Sequence, residues 1–268
     1  MKALLGDYPV TKYFKERSSL EFADVKVPNT AFKRVVRDLE FDVSELALMT
    51  FLLARAHGKP YRLLPAVITA RFQHSTLAYN PERGALSPDK LAGKKVGMRS
   101  YSVTTATWVR GILADDYGVD LGKVNWITFE DPHVAEFRDP PNATRMPAGK
   151  DPMQMLLAGE IDAAILAEPP KDGPLKTLIP DPAAAAAAWK AKNRAIQINH
   201  MVAVKDTVSS AQAQGIFALL QKSREAAGNP EMNPIGLEEN RRNLEVAIEC
   251  TYRQRMIPRR FTVEELFR

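Results

Sequence analysis

Cysteine is nearly absent from this chain of 268 residues, because Cys250 is the only one, so no disulfide can form within the chain. Cys250 falls in an apolar helical pattern with Leu244, Ala247 and Ile248, which predicts a core position rather than a nucleophile. The chain also lacks any apolar run near the ~20 residues that a membrane helix needs. No signal-peptide pattern follows Met1, and the sequence therefore predicts a cytoplasmic protein.

Charge of one sign is only slightly in excess, since 37 basic residues are scattered among 32 acidic ones. The densest basic cluster comprises Arg253, Arg255, Arg259 and Arg260. It has a single aromatic neighbour and no signature of a nucleic-acid module, which indicates a solvated surface and no nucleic-acid partner. The four histidines are His57, His74, His133 and His200. Their positions show no metal-ligand spacing, so the sequence predicts no metal.

Helical and strand patterns alternate along the chain, which predicts an α/β architecture with largely parallel sheets. We expect strands over 2–5, 22–27, 61–80, 95–98, 124–129, 161–167 and 195–204. We expect helices over 9–18, 30–39, 44–56, 88–92, 103–117, 151–158, 183–188, 209–227 and 237–254. A last short helix opens with a capping box formed by Thr262 and Glu265.

The order of these elements predicts two lobes joined by two crossings. The first lobe comprises 1–80 and 200–268, and the second comprises 81–199. Folds of this kind bind their ligand in a cleft between the lobes, at the carboxyl ends of strands.

The stretch 95–106 runs from a strand through a polar turn into a helix that Gly118 ends. At a helix N-terminus, unpaired N–H groups, hydroxyls and a guanidinium can converge on a carboxylate or phosphate. The candidate anion-binding residues are Arg99, Tyr101, Ser102, Thr104 and Thr105. A well-capped helix beside a solvated arginine explains the same residues equally well.

Two motifs, at 91–97 and 157–163, resemble the signatures of type II periplasmic-binding-protein folds. The segments at 40–46, 71–75, 108–119 and 199–204 are similar to those of 4,5-dihydroxyphthalate decarboxylases. The resemblance implies two mainly parallel sheets flanked by helices, and a cytoplasmic enzyme that removes CO2 from a hydroxylated aromatic acid without an organic cofactor. It implies a small aromatic carboxylate as substrate and allows a homo-oligomer. Glu168 stands where a basic residue is common in that family, and it would repel a second substrate carboxylate if it faced the cleft.

Loss of CO2 from an electron-rich aromatic acid requires a proton at the ring carbon that bears the carboxylate. His74 lies at the first expected crossing and is the first candidate for the acid, because histidine titrates near neutrality. His200 lies at the second crossing, where it is expected to act as a second acid or base or to bind a ring hydroxyl. A structural histidine remains the alternative for both residues.

The residues 42–45 are interpreted as a turn that begins a helix, from which Glu45 or Ser44 would bind a substrate hydroxyl. Arg71 and Arg99 are expected to hold the substrate carboxylate, although single arginines more often form surface ion pairs. Trp108 would stack on an aromatic ring or pack in the core. The expected substrate-binding set also contains Asp7 and Ser75. The alternative function is a non-catalytic protein that binds a small aromatic or carboxylate ligand for a transporter or sensor.

Overall fold

The computed structural model describes residues 1–170 and 173–268, which divide into two compact units. The first unit comprises Met1–Arg71, His133–Glu136 and Arg194–Arg268. The second unit comprises Phe72–Pro132 and Phe137–Asn193. The chain therefore changes unit after Arg71 and after Asn193, earlier than the expected boundaries at 80 and 199, and the short segment His133–Glu136 also belongs to the first unit.

The amino-terminal part of the first unit alternates strands with helices. Its elements are β1 (Lys2–Leu4), α1 (Pro9–Arg17), β2 (Glu21–Phe22), α2 (Phe32–Val36), β3 (Val43–Ala47), α3 (Leu48–Ala56) and β4 (Tyr61–Ala70). The expected helix over 44–56 is wrong in its first turn, which is the strand β3. All five residues of β3 are buried, and a strand covered on both faces has no alternating pattern to separate it from an apolar helix.

The second unit contains the strands and helices of the middle of the chain. They are β5 (Leu77–Tyr79), β6 (Lys95–Met98), α4 (Thr104–Tyr117), β7 (Asn125–Thr128), β8 (Ala143–Arg145), α5 (Pro152–Ala158), β9 (Ala163–Ile165), β10 (Lys176–Thr177) and α6 (Pro182–Asn193). The expected strand over 61–80 is interrupted between β4 and β5, and 88–92 forms only a 3-10 turn. Gly118 ends α4 in a left-handed conformation with φ 65°, which confirms the expected stop.

The chain then returns to the first unit with β11 (Ile198–Lys205), α7 (Ser210–Ala226) and α8 (Leu237–Arg253). A 3-10 turn, Glu264–Phe267, closes the chain. The expected capping box is present, because the Thr262 N–H donates to Glu265 Oε2 and the Glu265 N–H donates to Thr262 Oγ1. It opens this 3-10 turn rather than an α-helix.

Each unit has its own mixed sheet flanked by helices. The strand order is β2-β1-β3-β11-β4 in the first sheet and β10-β5-β9-β6-β7-β8 in the second. The sheets are mixed rather than mainly parallel because β11 runs antiparallel to β3 and β4, and β5 runs antiparallel to β9 and β10. The α/β class is confirmed. Among the described residues, no helix is long and apolar enough to cross a membrane.

Candidate active site

Glu45 is a fully buried carboxylate at the centre of β3. Its Oε2 accepts a hydrogen bond of 2.9 Å from the Gly6 N–H, and its Oε1 accepts one of 2.9 Å from the Tyr8 hydroxyl. Nδ1 of His200 lies 2.6 Å from Oε1. A buried carboxylate is costly unless it is paired and hydrogen-bonded, so these three contacts allow Glu45 to occupy the core of the first unit.

The pairing of β3 with β11 brings Glu45 and His200 together. Glu45 is opposite Val202 and His200 is opposite Ala47, so the two side chains are diagonal neighbours on one face of the sheet. The pairing of β11 with β4 is irregular between Ile198 and Val202. Irregularities of this kind change the direction of a side chain and are common beside active sites. Glu45, expected to serve the reaction or bind a substrate hydroxyl, and His200, an expected acid or base, therefore form a contact within the first unit.

His200 presents a second ring nitrogen beyond this contact. Its side chain is 18% exposed, whereas that of Glu45 is 0% exposed. The Phe32 ring packs edge-on against the imidazole with 5.2 Å between ring centroids. Within residues 1–170 and 173–268, the side chain of His200 has no hydrogen-bond partner other than Glu45. An imidazole oriented by a buried carboxylate through one nitrogen can transfer a proton at the other.

Ser44 and Asp7, two expected substrate-binding residues, point to other partners. The interpretation of 42–45 as a helix-starting turn is wrong, since Val43–Ala47 forms β3. The Ser44 hydroxyl is buried and donates to the backbone carbonyl of Glu45 at 2.7 Å. The Asp7 side chain is 87% exposed and pairs with Lys15.

Sequence reasoning missed three side chains near Glu45 and His200. Besides Tyr8, these are Thr50 and His133, whose Oγ1 and Nδ1 atoms lie 2.8 Å apart. The His133 ring also packs edge-on against Phe32, at 5.7 Å, so Phe32 contacts two imidazoles. Neither periodicity nor spacing signals these contacts, because they join segments far apart in the chain.

His74 lies in the second unit, just before β5, and is 1% exposed. Neither of its ring nitrogens has a hydrogen-bond partner among the described residues. Burial lowers the pKa of His74 to about 4, although the charge of Asp116 acts in the opposite direction. The imidazole is therefore neutral near pH 7 and offers one N–H donor and one acceptor.

Sheet topology places His74 at the same edge as the expected anion-binding turn. Leu77 of β5 pairs with Ile165 of β9, and Ile165 pairs with Met98 of β6. Because β5 is antiparallel to β9, residues that precede β5 lie at the edge where β6 and β9 end. That edge carries His74, Ser75, Arg99 and Glu168.

The turn before α4 contains several buried hydroxyls. Ser100, Ser102 and Thr104 are buried, and Ser100 Oγ has no hydrogen-bond partner among the described residues. Thr105 is half-buried. Val103 occupies the N-cap of α4 and has no side-chain acceptor for the first-turn N–H groups. Val103 therefore does not supply the side-chain N-cap that the structural alternative assumes, whereas Gly118 does end the helix.

Tyr101 and Trp108 pack within the second unit. The Arg110 guanidinium lies 3.7 Å from the centroid of the Tyr101 ring, and both residues are buried. Trp108 is 1% exposed and meets Trp189 edge-on at 5.9 Å between centroids. Trp108 therefore makes the contacts expected of a side chain that packs in the core.

Arg99 and Glu168 line one cavity of about 630 Å³ in the second unit. Lys150 and Glu130 add charge of both signs to its wall, and Arg99 Nε lies 3.9 Å from Glu130 Oε2. Glu168 is exposed. Arg71 belongs to the first unit, where its backbone N–H donates to the Gln197 carbonyl.

Within the part of the chain that the structure describes, no group of three or more His, Cys, Asp or Glu side chains could hold a metal ion. The four histidines lie apart from such a cluster.

Comparison with known proteins identifies relatives of the chain. A 4,5-dihydroxyphthalate decarboxylase from Comamonas testosteroni is 30% identical over 195 residues, which is 68% of this chain and 59% of that protein. A second one, from Pseudomonas putida, is 32% identical over 101 residues, or 37% of this chain and 39% of that protein. The chain thus spans less than two thirds of the length of these curated relatives. It matches no model of a known protein family.

Solved structures show the fold. The alkanesulfonate-binding protein of Xanthomonas axonopodis pv. citri matches with a TM-score of 0.56 and 12% identity, covering 100% of this chain and 97% of that one. The aliphatic sulphonate-binding protein of Escherichia coli matches with a TM-score of 0.57 and 12% identity, covering 100% and 96%. The chain is therefore a homologue of the 4,5-dihydroxyphthalate decarboxylases and has the α/β fold of periplasmic binding proteins.

Proposed function

We propose that this protein is a carboxy-lyase that removes CO2 from a hydroxylated aromatic acid of the 4,5-dihydroxyphthalate type. The observation that carries the proposal is the contact of 2.6 Å between His200 Nδ1 and the buried carboxylate of Glu45, in a homologue of such decarboxylases. A sulfonate-binding protein needs no proton donor, whereas ring decarboxylation does.

In the proposed reaction, doubly protonated His200 is the acid. Its Nε2–H bond breaks as the proton bonds to the ring carbon that bears the carboxylate, aided by electron density from a para hydroxyl. The bond from the ring to the carboxylate then breaks, its electron pair restores aromaticity, and CO2 leaves. Neutral His200 keeps its Nδ1–H, which donates to Glu45, and its Nε2 regains a proton from water. Glu45 stabilises the positive charge of the imidazolium, as carboxylates do in other proton-transfer pairs.

The edge of the second sheet supplies groups suited to holding a carboxylate. Arg99 carries a positive charge, and the buried turn before α4 provides hydroxyls beside first-turn N–H groups. His74 is neutral and unpartnered among the described residues of the same unit, which suits it to a hydrogen bond with a carboxylate or hydroxyl group. Both nitrogens of His74 would otherwise remain unsatisfied, at a cost of ~1–3 kcal/mol for each buried polar group.

The direct test is incubation of purified protein with 4,5-dihydroxyphthalate. We expect equimolar protocatechuate, followed by ultraviolet absorbance, and CO2. The panel should include other hydroxylated phthalates and benzoates, because Glu168 lies near Arg99 and its charge acts against a second carboxylate. Binding without product across the whole panel would overturn the proposal and support a non-catalytic binding protein.

A further inference from the structure

Tyr8 and Gly6 direct two fixed donors at the carboxylate of Glu45, from the turn between β1 and α1. A backbone N–H can only donate. Burial and the neighbouring charge of Glu45 raise the pKa of Tyr8, so its hydroxyl keeps its proton and also donates. Oε1 receives the Tyr8 hydrogen bond and also faces Nδ1 of His200.

This donor arrangement selects one tautomer of His200. Glu45 Oε2 and Oε1 accept from Gly6 and Tyr8, and an ionised Glu45 has only acceptor atoms to present to His200. The contact of 2.6 Å between Oε1 and Nδ1 then requires that the hydrogen belongs to Nδ1. Nε2 is consequently the nitrogen at which His200 gains or loses a proton.

The Tyr8 ring is held in place by its own turn. A Cβ atom added at Gly6 would lie 2.5 Å from Tyr8 Cε2 and 2.8 Å from its hydroxyl oxygen, so the ring lies directly on Gly6. The Tyr8 N–H donates to Thr11 Oγ1, and that hydroxyl donates to the Gly6 carbonyl at 2.7 Å. Glycine at position 6 and threonine at position 11 thus place the Tyr8 hydroxyl on Glu45.

We propose that Tyr8 is a positioning residue that acts through Glu45 to hold His200 in the Nδ1–H tautomer. Its importance for turnover depends on the proposed decarboxylase function, but the tautomer does not. Tyr8 contacts Glu45 and not His200, so removal of its hydroxyl leaves the imidazole in place, while the carboxylate is then held by the Gly6 N–H alone and can rotate Oε1 away from Nδ1.

The test is ¹⁵N NMR of histidine-labelled full-length protein, with His200 assigned by the His200→Gln variant. In the wild type we expect Nδ1 of neutral His200 to carry the hydrogen. Tyr8→Phe should raise the population of the Nε2–H tautomer several-fold and lower kcat by ~10-fold with less than a twofold change in KM. Tyr13→Phe is the matched control, since Tyr13 lies in α1, the helix that follows Tyr8, and its ring contacts Arg17 rather than Glu45.

A wild-type His200 that is mainly Nε2–H would overturn the proposal, and so would a Tyr8→Phe variant with the wild-type tautomer ratio. If Tyr8→Phe does not fold, Gly6→Ala provides a second variant that displaces the Tyr8 ring, and the same shift is expected. A tautomer shift in a protein that never releases CO2 would support the positioning role and reject the decarboxylase function. The two failures are therefore distinguishable.

Discussion

Glu45 is the residue whose chemistry is most constrained by its neighbours. It has no exposed surface and is contacted by Gly6, Tyr8 and His200. Glutamine has nearly the same shape, but its amide nitrogen can only donate. The amide must therefore turn its nitrogen toward at least one of these donors.

We expect Glu45→Gln and His200→Gln each to lower kcat by ~10²-fold or more, the range of a lost general acid or of its wrong tautomer. Steady-state kinetics of CO2 release measures the effect. His57→Gln is the matched control, because His57 is exposed at the end of α3. Near-normal kcat in either site variant would remove the Glu45–His200 pair from the chemistry.

His74 is a buried polar side chain that the described structure does not satisfy. Replacement of His74 by leucine removes two unpartnered nitrogens and fills the same space with an apolar side chain of similar size. We expect His74→Leu to raise the free energy of unfolding at pH 8 by ~1 kcal/mol while weakening substrate binding. Urea unfolding and KM report the two effects, and a variant that is less stable and binds normally would assign His74 a structural role.

The stability contributed at position 74 should also depend on pH. His74 titrates at about 4 in the folded protein and near 6.5 in the unfolded chain, so between these values the unfolded state binds more protons. Wild-type stability therefore falls relative to His74→Leu as pH drops from about 6.5 toward 4. We expect a relative loss of ~1–2 kcal/mol, after allowance for partial solvent screening. If the difference in unfolding free energy between the wild type and His74→Leu were the same at pH 7 and pH 4.5, His74 would not be buried in its neutral form.

At the scale of elements, the sequence predicts the limits of elements bounded by turn residues and misses the limits of a fully buried strand. The limits of β6 and α4 agree with expectation because turn residues bound them and Gly118 ends α4. The run 43–56 has no such boundary between β3 and α3, and both elements are buried. The sequence therefore predicts a helix start at Glu45, whereas its contact with His200 depends on its position in a strand.

The end of α4 provides an element-scale prediction. Gly118 has φ +65° and no atom within 4 Å of an added Cβ, so Gly118→Ala introduces backbone strain without a clash. We expect it to lower the free energy of unfolding by ~1 kcal/mol. Gly215→Ala in α7 is the matched control, since its added Cβ is also uncrowded but its conformation is helical. It should stabilise by ~0.5–1 kcal/mol, and equal effects of the two changes would contradict the argument.

At the scale of the whole molecule, the contact between Glu45 and His200 depends on chain topology. β11 enters the first sheet between β3 and β4 after the chain has built the second unit. A single sequence predicts that 195–204 is a strand but contains no signal for its neighbours, direction or register. The composition of the candidate site was therefore partly predictable, whereas the pairing of Glu45 with His200, and the contribution of Tyr8, came only from the fold.

Phthalate and 4,5-dihydroxyphthalate together separate catalysis from binding in the intact protein. Phthalate has the carboxylates of 4,5-dihydroxyphthalate but no para hydroxyl to supply electron density, so it should bind without losing CO2. A ligand at ten times its Kd stabilises the folded state by about 1.4 kcal/mol, which raises Tm by about 3 °C for a protein of this size. We expect thermal shifts of this order with both compounds, and protocatechuate only from the dihydroxylated one. A non-catalytic receptor would return both compounds unchanged, and turnover of phthalate would contradict the proposed need for the ring hydroxyl.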